Sequence, residues 1–475
     1  MLFFHHSFLQ LLSTWFLQDL TWKVPKVNVM ITLESLQSCS TPLCVALTEV
    51  FISCLKEVLS EYSYYADCAG LQYDVKLAQG GIELMFLGYH HKLPVLIKKV
   101  LSEMKSMGGE TPSPGDCYLR MKEKVLRSYF NYRFWQPYYH CVLGLARCLE
   151  DPRFNSEEKY AALSSSSIAD FHSFSALLLR QMKADVMVHG NATEAEAKEL
   201  SASVTESLCF LPLSSSQEPV RRVVSLPMGK EFIYRQHSKT LNPKEPNSAV
   251  EMFLIVGDLA GRSVELDTDR STVGTNGLLE LLSHLISEPA FDQLRTKEQL
   301  GYIVHTSMKI VGQTCGLQMI VQSSHKDPVY LDQRIEDFLA DYRSKLAAFT
   351  DEELQTNICA AVEMLQEKAK NLDQESNRFW SEITGGYYLF DRKVRLAEYL
   401  KTVVLSDVLN FFDSFIAAGS PQRRKCSSQY FGMGTKYPKD LGHKDAVLIK
   451  DPAVFKRTMS LAPRRTFTAD LKVMG

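Results

Sequence analysis

Residues 288 to 304 read Glu288-Pro289-Ala290-Phe291-Asp292-Gln293-Leu294-Arg295-Thr296-Lys297-Glu298-Gln299-Leu300-Gly301-Tyr302-Ile303-Val304, charged in the middle and ending in glycine then tyrosine. Proline at a helix start and glycine just past its end predict a short helix over 289–299, with Tyr302 opening the strand that follows. That placement brings Arg295 and Tyr302 near one edge. A guanidinium and a phenol are both hydrogen-bond donors, so the pair could hold a substrate carbonyl or stabilise an oxyanion. A surface arginine paired with a nearby carboxylate, beside a tyrosine packed on the sheet, is the commoner use of such residues and stands next to that reading.

The remaining chemistry-bearing residues form no complete site. The twelve histidines include no His-Glu-x-x-His and no His-x-x-Glu-His. His284 and Glu288 are four apart and could share a helix face, but a catalytic zinc takes three protein ligands and an open position, so a helix-end ion pair or surface contact is the expectation. His5-His6 and His90-His91 are adjacent pairs that project in different directions and are expected to be structural or solvent-exposed. No metal site is therefore expected in this chain. Gly-x-Ser-x-Gly, Gly-x-x-x-x-Gly-Lys and Gly-x-Gly-x-x-Gly are absent as well.

The elements that must carry these residues repeat. Leu47, Val50, Phe51, Leu55, Val58 and Leu59 mark an amphipathic helix over 44–62. Leu71, Tyr73, Val75 and Leu77, then Ile82, Leu84 and Phe86, alternate as two strands around Gln79-Gly80-Gly81, a hairpin. Helical patterning resumes at 93–104 and 118–132 across a Gly/Pro/Ser loop at 108–116. Ala184 to Val188 is a short strand, and Thr193-x-x-Glu196 caps the next helix. In the second half Leu278 to Ile286 is a helix. Tyr302–Val311 and Gly316–Ser323 are strands joined by Gly312-Gln313-Thr314, and Leu331 to Tyr342 is a helix. Thr350-x-x-Glu353 caps another, Ser406 to Phe415 ends at Gly419, and Ser428 to Gly432 closes. Tyr73 and Tyr302 are 229 residues apart, about half of the 475, so the chain reads as two homologous α+β units, each an antiparallel-rich sheet with helices packed on one face. Ser214-Ser215-Ser216, Pro219 and above all Ser238 to Ser248 have linker composition, which places the boundary near 238.

Composition bounds the function. Lys+Arg 53 against Asp+Glu 55 leaves a net charge of −2, which argues against a nucleic-acid partner. The basic spots Gln422-Arg423-Arg424-Lys425 and Arg464-Arg465 are expected on the solvated surface. Eleven scattered cysteines without Cys-x-x-Cys spacing predict reduced thiols and a cytoplasmic location. The apolar Met1 to Leu17 lacks a basic start and a small-residue cleavage site, and no run of 18 apolar residues predicts a membrane span.

The 288–304 segment closely resembles the signature of the insulysin, nardilysin and pitrilysin family of zinc metallopeptidases. Trp15-Phe16-Leu17-Gln18-Asp19, Val24-Pro25-Lys26, Ala69-Gly70-Leu71-x-Tyr73, His189-Gly190-Asn191, Phe379-Trp380-x-Glu382-Ile383 and Phe390-Asp391-Arg392 resemble that family in order, from about residue 14 to the end. The resemblance implies the insulinase-like (LuxS-type) metalloenzyme fold, built as four homologous units closing around a peptide. It divides this chain into an unmatched segment 1–13, a third unit 14–237 and a fourth unit 238–475. The family's zinc motif, His-x-x-Glu-His, lies in a first unit without counterpart here, so the cofactor zinc is implied for an N-terminal half. Arg295 and Tyr302 fall on the family's catalytic Arg and Tyr, which reach toward the substrate carbonyl and the oxyanion formed by zinc-activated water. Lys368 and Lys370 fall in the region of the insulysin anion patch, but Met364 and Leu365 stand where that branch has a basic pair.

Two functions follow. The first is the zinc-less C-terminal half of an oligopeptide-hydrolysing metalloendopeptidase, partnered by peptides and by a zinc-bearing N-terminal half in cis or in trans, with homo-oligomer formation open. The alternative is a pseudopeptidase that binds peptides or serves as a scaffold without hydrolysis.

Overall fold

The computed structural model describes residues 4–8, 11–78, 80–109, 115–214, 219, 222–259, 270–436, 438 and 446–462. Gln79 of the expected hairpin turn, residues 110–114 of the expected loop, Ser215-Ser216 and Arg464-Arg465 lie outside them.

Two mixed sheets, each with its own core, follow one another. The first is ordered β1 (Phe4–Phe8), β2 (Leu12–Gln18), β7 (Gln181–Gly190), β3 (Lys26–Glu34), β5 (Gly81–Tyr89), β4 (Gln72–Ala78), with β8 (Leu211–Pro212) beside β7. Antiparallel pairs dominate, and β2–β7 is parallel. Over one face lie α1 (Pro42–Val58), α2 (Ser60–Cys68), α3 (Leu93–Met107), α4 (Gly115–Asn131), α6 (Ser156–Ser164), α7 (Ile168–Leu178) and α8 (Glu194–Leu208). The sequence starts these helices locally: Thr41 accepts from the Cys44 amide with Pro42 in the first turn, and Thr193 and Glu196 form a reciprocal capping box. Their apolar faces meet Val29, Ile31, Leu84 and Phe86 of the sheet.

The second sheet is ordered β12 (Ile303–Val311), β13 (Thr314–Ser323), β11 (Ser248–Asp258), β14 (Arg424–Phe431), β10 (Lys230–His237), β15 (Val447–Ile449). It is covered by α10 (Arg270–Phe291), α11 (Pro328–Ala347), α12 (Asp351–Gln366), α14 (Arg392–Leu400) and α15 (Leu405–Phe415). A small third sheet joins β6 (Glu150–Asp151), β9 (Arg222–Ser225) and β16 (Ser460–Leu461).

Each half also lends one helix to the far face of the other's sheet. From the first half, α5 (Pro137–Leu149) places Leu145, Cys148 and Leu149 against Phe232, Phe253 and Cys426 of the second sheet. From the second half, α13 (Leu372–Thr384) places Phe379, Trp380 and Ile383 against Trp15, Met30 and Met187 of the first. Central strands such as β3 and β11 are thereby buried on both sides, and the alternation that marks a half-exposed strand survives on the edge strand β4.

Three local expectations are corrected. Strand β10 pairs with β14 from Lys230 to His237, ahead of residue 238, and Ser238–Leu241 is a short helix α9. The polar 238–248 stretch is thus a crossover inside the second sheet, tied down where the Met433 amide donates to the Glu245 carbonyl and the Gly432 amide to Ser248 Oγ. Arg423 and Lys425 are buried rather than solvated: Lys425 Nζ meets Asp332 at 2.5 Å and Glu336 at 2.7 Å, and Arg423 bridges Glu336 and Glu231. Lys425 lies on the central strand β14 and Arg423 just before it, and α11 with Glu231 of β10 brings the carboxylates that neutralise them. Proline does not begin a helix at 289, because α10 runs through it to Phe291.

Among the described residues no helix is long and apolar enough to cross a membrane. The cysteines are free thiols. A short helix α16 (Pro452–Thr458) precedes β16.

Candidate functional site

Beyond Phe291 the helix widens into a π-helical turn, Asp292–Lys297, in which the Glu298 amide donates to the Gln293 carbonyl, five residues back. A proline has no amide to donate to the preceding turn, and such widened turns accommodate displaced hydrogen bonding. Leu294 and Leu300 are buried and anchor the turn's inner side. Gln299 is held at φ 52°, a left-handed conformation that costs a non-glycine residue about 1 kcal/mol or more. Gly301 then passes so close to β13 that a Cβ would stand 1.8 Å from the Gln322 carbonyl oxygen. Tyr302 emerges immediately before β12, which begins at Ile303 rather than at the tyrosine.

This path presents Arg295 and Tyr302 together. The Arg295 guanidinium lies 4.6 Å from the Tyr302 ring centroid and 4.6 Å from that of Phe291, between two aromatic faces. Tyr302 is 79% exposed. Among the described residues neither the guanidinium nor the phenol makes a hydrogen bond or ion pair, whereas the turn's other charges, Asp292, Lys297 and Glu298, are engaged. Lys297 pairs with Asp292 at 2.7 Å, and Glu298 accepts two hydrogen bonds of 2.8 Å from Arg334. Those Arg334 hydrogen bonds hold the Glu298 carboxyl below its ordinary range and raise Arg334. The turn is braced by its other charges while the donors of Arg295 and Tyr302 stay available. Two donors on one exposed edge can receive a carbonyl oxygen or an oxyanion.

The sequence pairs these two residues and misses Phe291, which supplies the second ring; a lone phenylalanine after proline carries no signal for stacking. His284 and Glu288 line an adjoining recess of about 740 Å³ with Phe291, His305, Thr306 and Lys345. Among the described residues no group of three or more His, Cys, Asp or Glu side chains could hold a metal, so the residues present do not fit a catalytic zinc. His90 Nδ1 lies 3.2 Å from Asn191 Nδ2, and His91 is exposed. Lys368 is exposed, Lys370 pairs with Glu367 at 3.1 Å, and Leu365 is buried in the core.

Comparison with known proteins adds to this geometry. Residues 9–162 match the family model for the middle or third domain of peptidase M16, and residues 281–380 match that for the C-terminal lobe domain 4 of PqqF-like proteins, described as PQQ synthase. The chain is 31% identical over 424 residues to insulin-degrading enzyme-like 1, peroxisomal, of Arabidopsis thaliana, covering 88% of this chain and 42% of that protein. It is 31% identical over 417 residues to the insulin-degrading enzyme of Homo sapiens, covering 87% and 39%. In fold it is similar to the crystal structure of pitrilysin, with a TM-score of 0.81 at 20% identity, over 95% of this chain and 46% of that one. The chain spans less than half the length of these relatives.

Proposed function

The chain belongs to the M16 peptidase family, and from that premise we propose that it is the zinc-less half of a metalloendopeptidase that hydrolyses oligopeptides. In this reading it supplies chamber wall and two hydrogen-bond donors to a site completed by a zinc-bearing half, in cis or in trans. The observation that carries it is the convergence of a half-buried Arg295 and an exposed Tyr302, neither hydrogen-bonded nor ion-paired among the described residues, on a turn whose other charges are neutralised. Peptide hydrolysis places negative charge on the former carbonyl oxygen, and donors set for that oxygen lower the barrier. Arg295 contributes charge and Tyr302 a directed hydroxyl, while Phe291 limits where the guanidinium can swing. The division into a third and a fourth unit is part of the proposal, with α5 and α13 exchanged between them. Free thiols suit a reducing, cytosol-like compartment.

The test is made on the purified chain with and without a zinc-bearing N-terminal half. The chain alone is expected to hold no stoichiometric zinc and to leave fluorogenic peptides uncut, and the mixture to cleave them. About one zinc per chain together with chelator-sensitive cleavage by the chain alone overturns the reading. Peptide binding without cleavage in the mixture favours the pseudopeptidase alternative.

A further inference from the structure

A cleft of about 830 Å³ opens between the two halves, lined by Glu49 and Leu77 of the first, by Tyr132, Trp135 and Glu157 around α5, and by Tyr234 of β10. That volume suits a side chain or a short peptide. Most charges around it already have partners: Arg147 pairs with Glu158 at 3.1 Å, Arg153 with Glu150 at 3.4 Å, and Lys159 with Glu49 at 3.1 Å. Arg235 donates to Gln429 Oε1 and to the Pro438 carbonyl. His237 is engaged through both ring nitrogens, by the Lys239 amide and the Thr435 carbonyl.

Glu157 differs. Among the described residues its buried Oε1 has no hydrogen-bond partner and no cation pairs with its carboxylate. The residue sits in the first turn of α6, where the backbone amides favour a negative charge but supply this oxygen with no donor. Two phenols line the cleft with it: burial first, then the Glu157 charge, raises Tyr132 above the ordinary tyrosine range, and burial raises Tyr234, with Arg147 opposing and Glu157 adding a smaller upward push. A lone carboxylate and several aromatic side chains lining one cleft match the requirements of a cation.

We propose that this cleft takes a cationic group of a peptide, a lysine or arginine side chain or a free amino terminus, with Glu157 as counter-ion and Tyr132 and Trp135 as walls. The inference stands independently of the roles given to Arg295 and Tyr302, since the cleft neither contains nor requires them. Trp135 lies at the rim, 47% exposed, which leaves the entrance open.

Titration calorimetry on the full chain tests it with four C-amidated pentapeptides. Three are N-acetylated Ala-Ala-Xaa-Ala-Ala with Xaa as arginine, lysine or glutamate, and the fourth is penta-alanine with a free amino terminus. Binding of the arginine or lysine peptide, weakened about tenfold or more by Glu157→Gln, supports a side-chain site. Binding confined to the free-terminus peptide, with the same sensitivity, supports the same chemistry with the terminus as its source. Equal binding of the glutamate peptide, no binding of any peptide, or unchanged binding to a folded Glu157→Gln variant overturns the proposal. If Glu157→Gln does not fold, Trp135→Leu on the exposed rim gives the same decision: weaker binding of the basic peptides supports the site, and undiminished binding overturns it.

Discussion

Gly301 fixes where Tyr302 leaves the sheet. With a Cβ only 1.8 Å from the Gln322 carbonyl oxygen, Gly301→Ala must push the start of β12 outward, and overpacking of this kind costs about 1–3 kcal/mol. A lowered Tm in thermal unfolding is the expected outcome, and an unchanged Tm contradicts the close approach. Arg295→Ala should behave differently, shifting stability by no more than about 1 kcal/mol, because the guanidinium makes no hydrogen bond or ion pair among the described residues and gives up only its stacking on exposed rings. The residue types and their spacing make Arg295 and Tyr302 legible in the sequence. The geometry that joins them is not, since Pro289 reads as a helix start whereas the helix passes through it, and neither the π-turn nor the left-handed Gln299 has a composition of its own.

At the scale of elements, the β14–α11 contact rests on buried charge. Burial by itself would raise the Glu336 carboxyl, but Lys425 and Arg423 outweigh it and leave the group below its ordinary range. Lys425 is raised, burial opposing and Asp332 and Glu336 prevailing. The signs follow directly. A lowered carboxyl contributes stability that is whole above its unfolded value of about 4.3 and is lost as pH falls through the folded value. A raised lysine contributes stability that is whole below about 10.4 and is lost as pH rises beyond it. Lys425→Ala takes the buried ammonium from Asp332 and leaves Glu336 to Arg423 alone, and should cost about 3–5 kcal/mol in denaturant unfolding; a loss under about 1 kcal/mol would mean that water reaches the carboxylates. The sequence shows this run only as basic residues, because a lysine destined for a buried partner looks like any other until the helix that carries the carboxylates is placed.

Across the whole molecule the two halves are interlocked by α5 and α13, and each exchanged helix packs beside a buried histidine. His140 of α5 stacks on Tyr430 of β14 with ring centroids 5.0 Å apart, and His189 of β7 lies 2.8 Å through Nδ1 from Ser376 of α13. Burial lowers both, His140 to about 4, while Glu375 partly offsets the effect at His189. A lowered histidine is neutral in the folded state, so its stability is whole above about 6.5 and is lost as pH falls from there toward 4. Thermal unfolding between pH 7 and 4 should therefore show a decline that the His140→Gln, His189→Gln double variant flattens, and an identical slope in that variant contradicts the assignment. The duplicated order of elements is legible from periodicity because each unit repeats the same helix, hairpin and helix. The exchange is not, since an apolar helix face does not say which sheet it will cover.

The central claim is that this chain completes an active site held elsewhere, and one measurement tests it most directly: the turnover of a fluorogenic oligopeptide by the chain combined with a zinc-bearing N-terminal half, comparing wild type with Tyr302→Phe. The substitution keeps the ring against Arg295 and removes only the hydroxyl, so Tm should hardly move. Loss of one such donor costs about 3–4 kcal/mol in comparable sites, a fall in turnover of about 10² to 10³. A drop of at least about tenfold at unchanged Tm is the outcome expected here. Wild-type turnover in a folded Tyr302→Phe variant would contradict the account and return Arg295 and Tyr302 to an ordinary exposed edge.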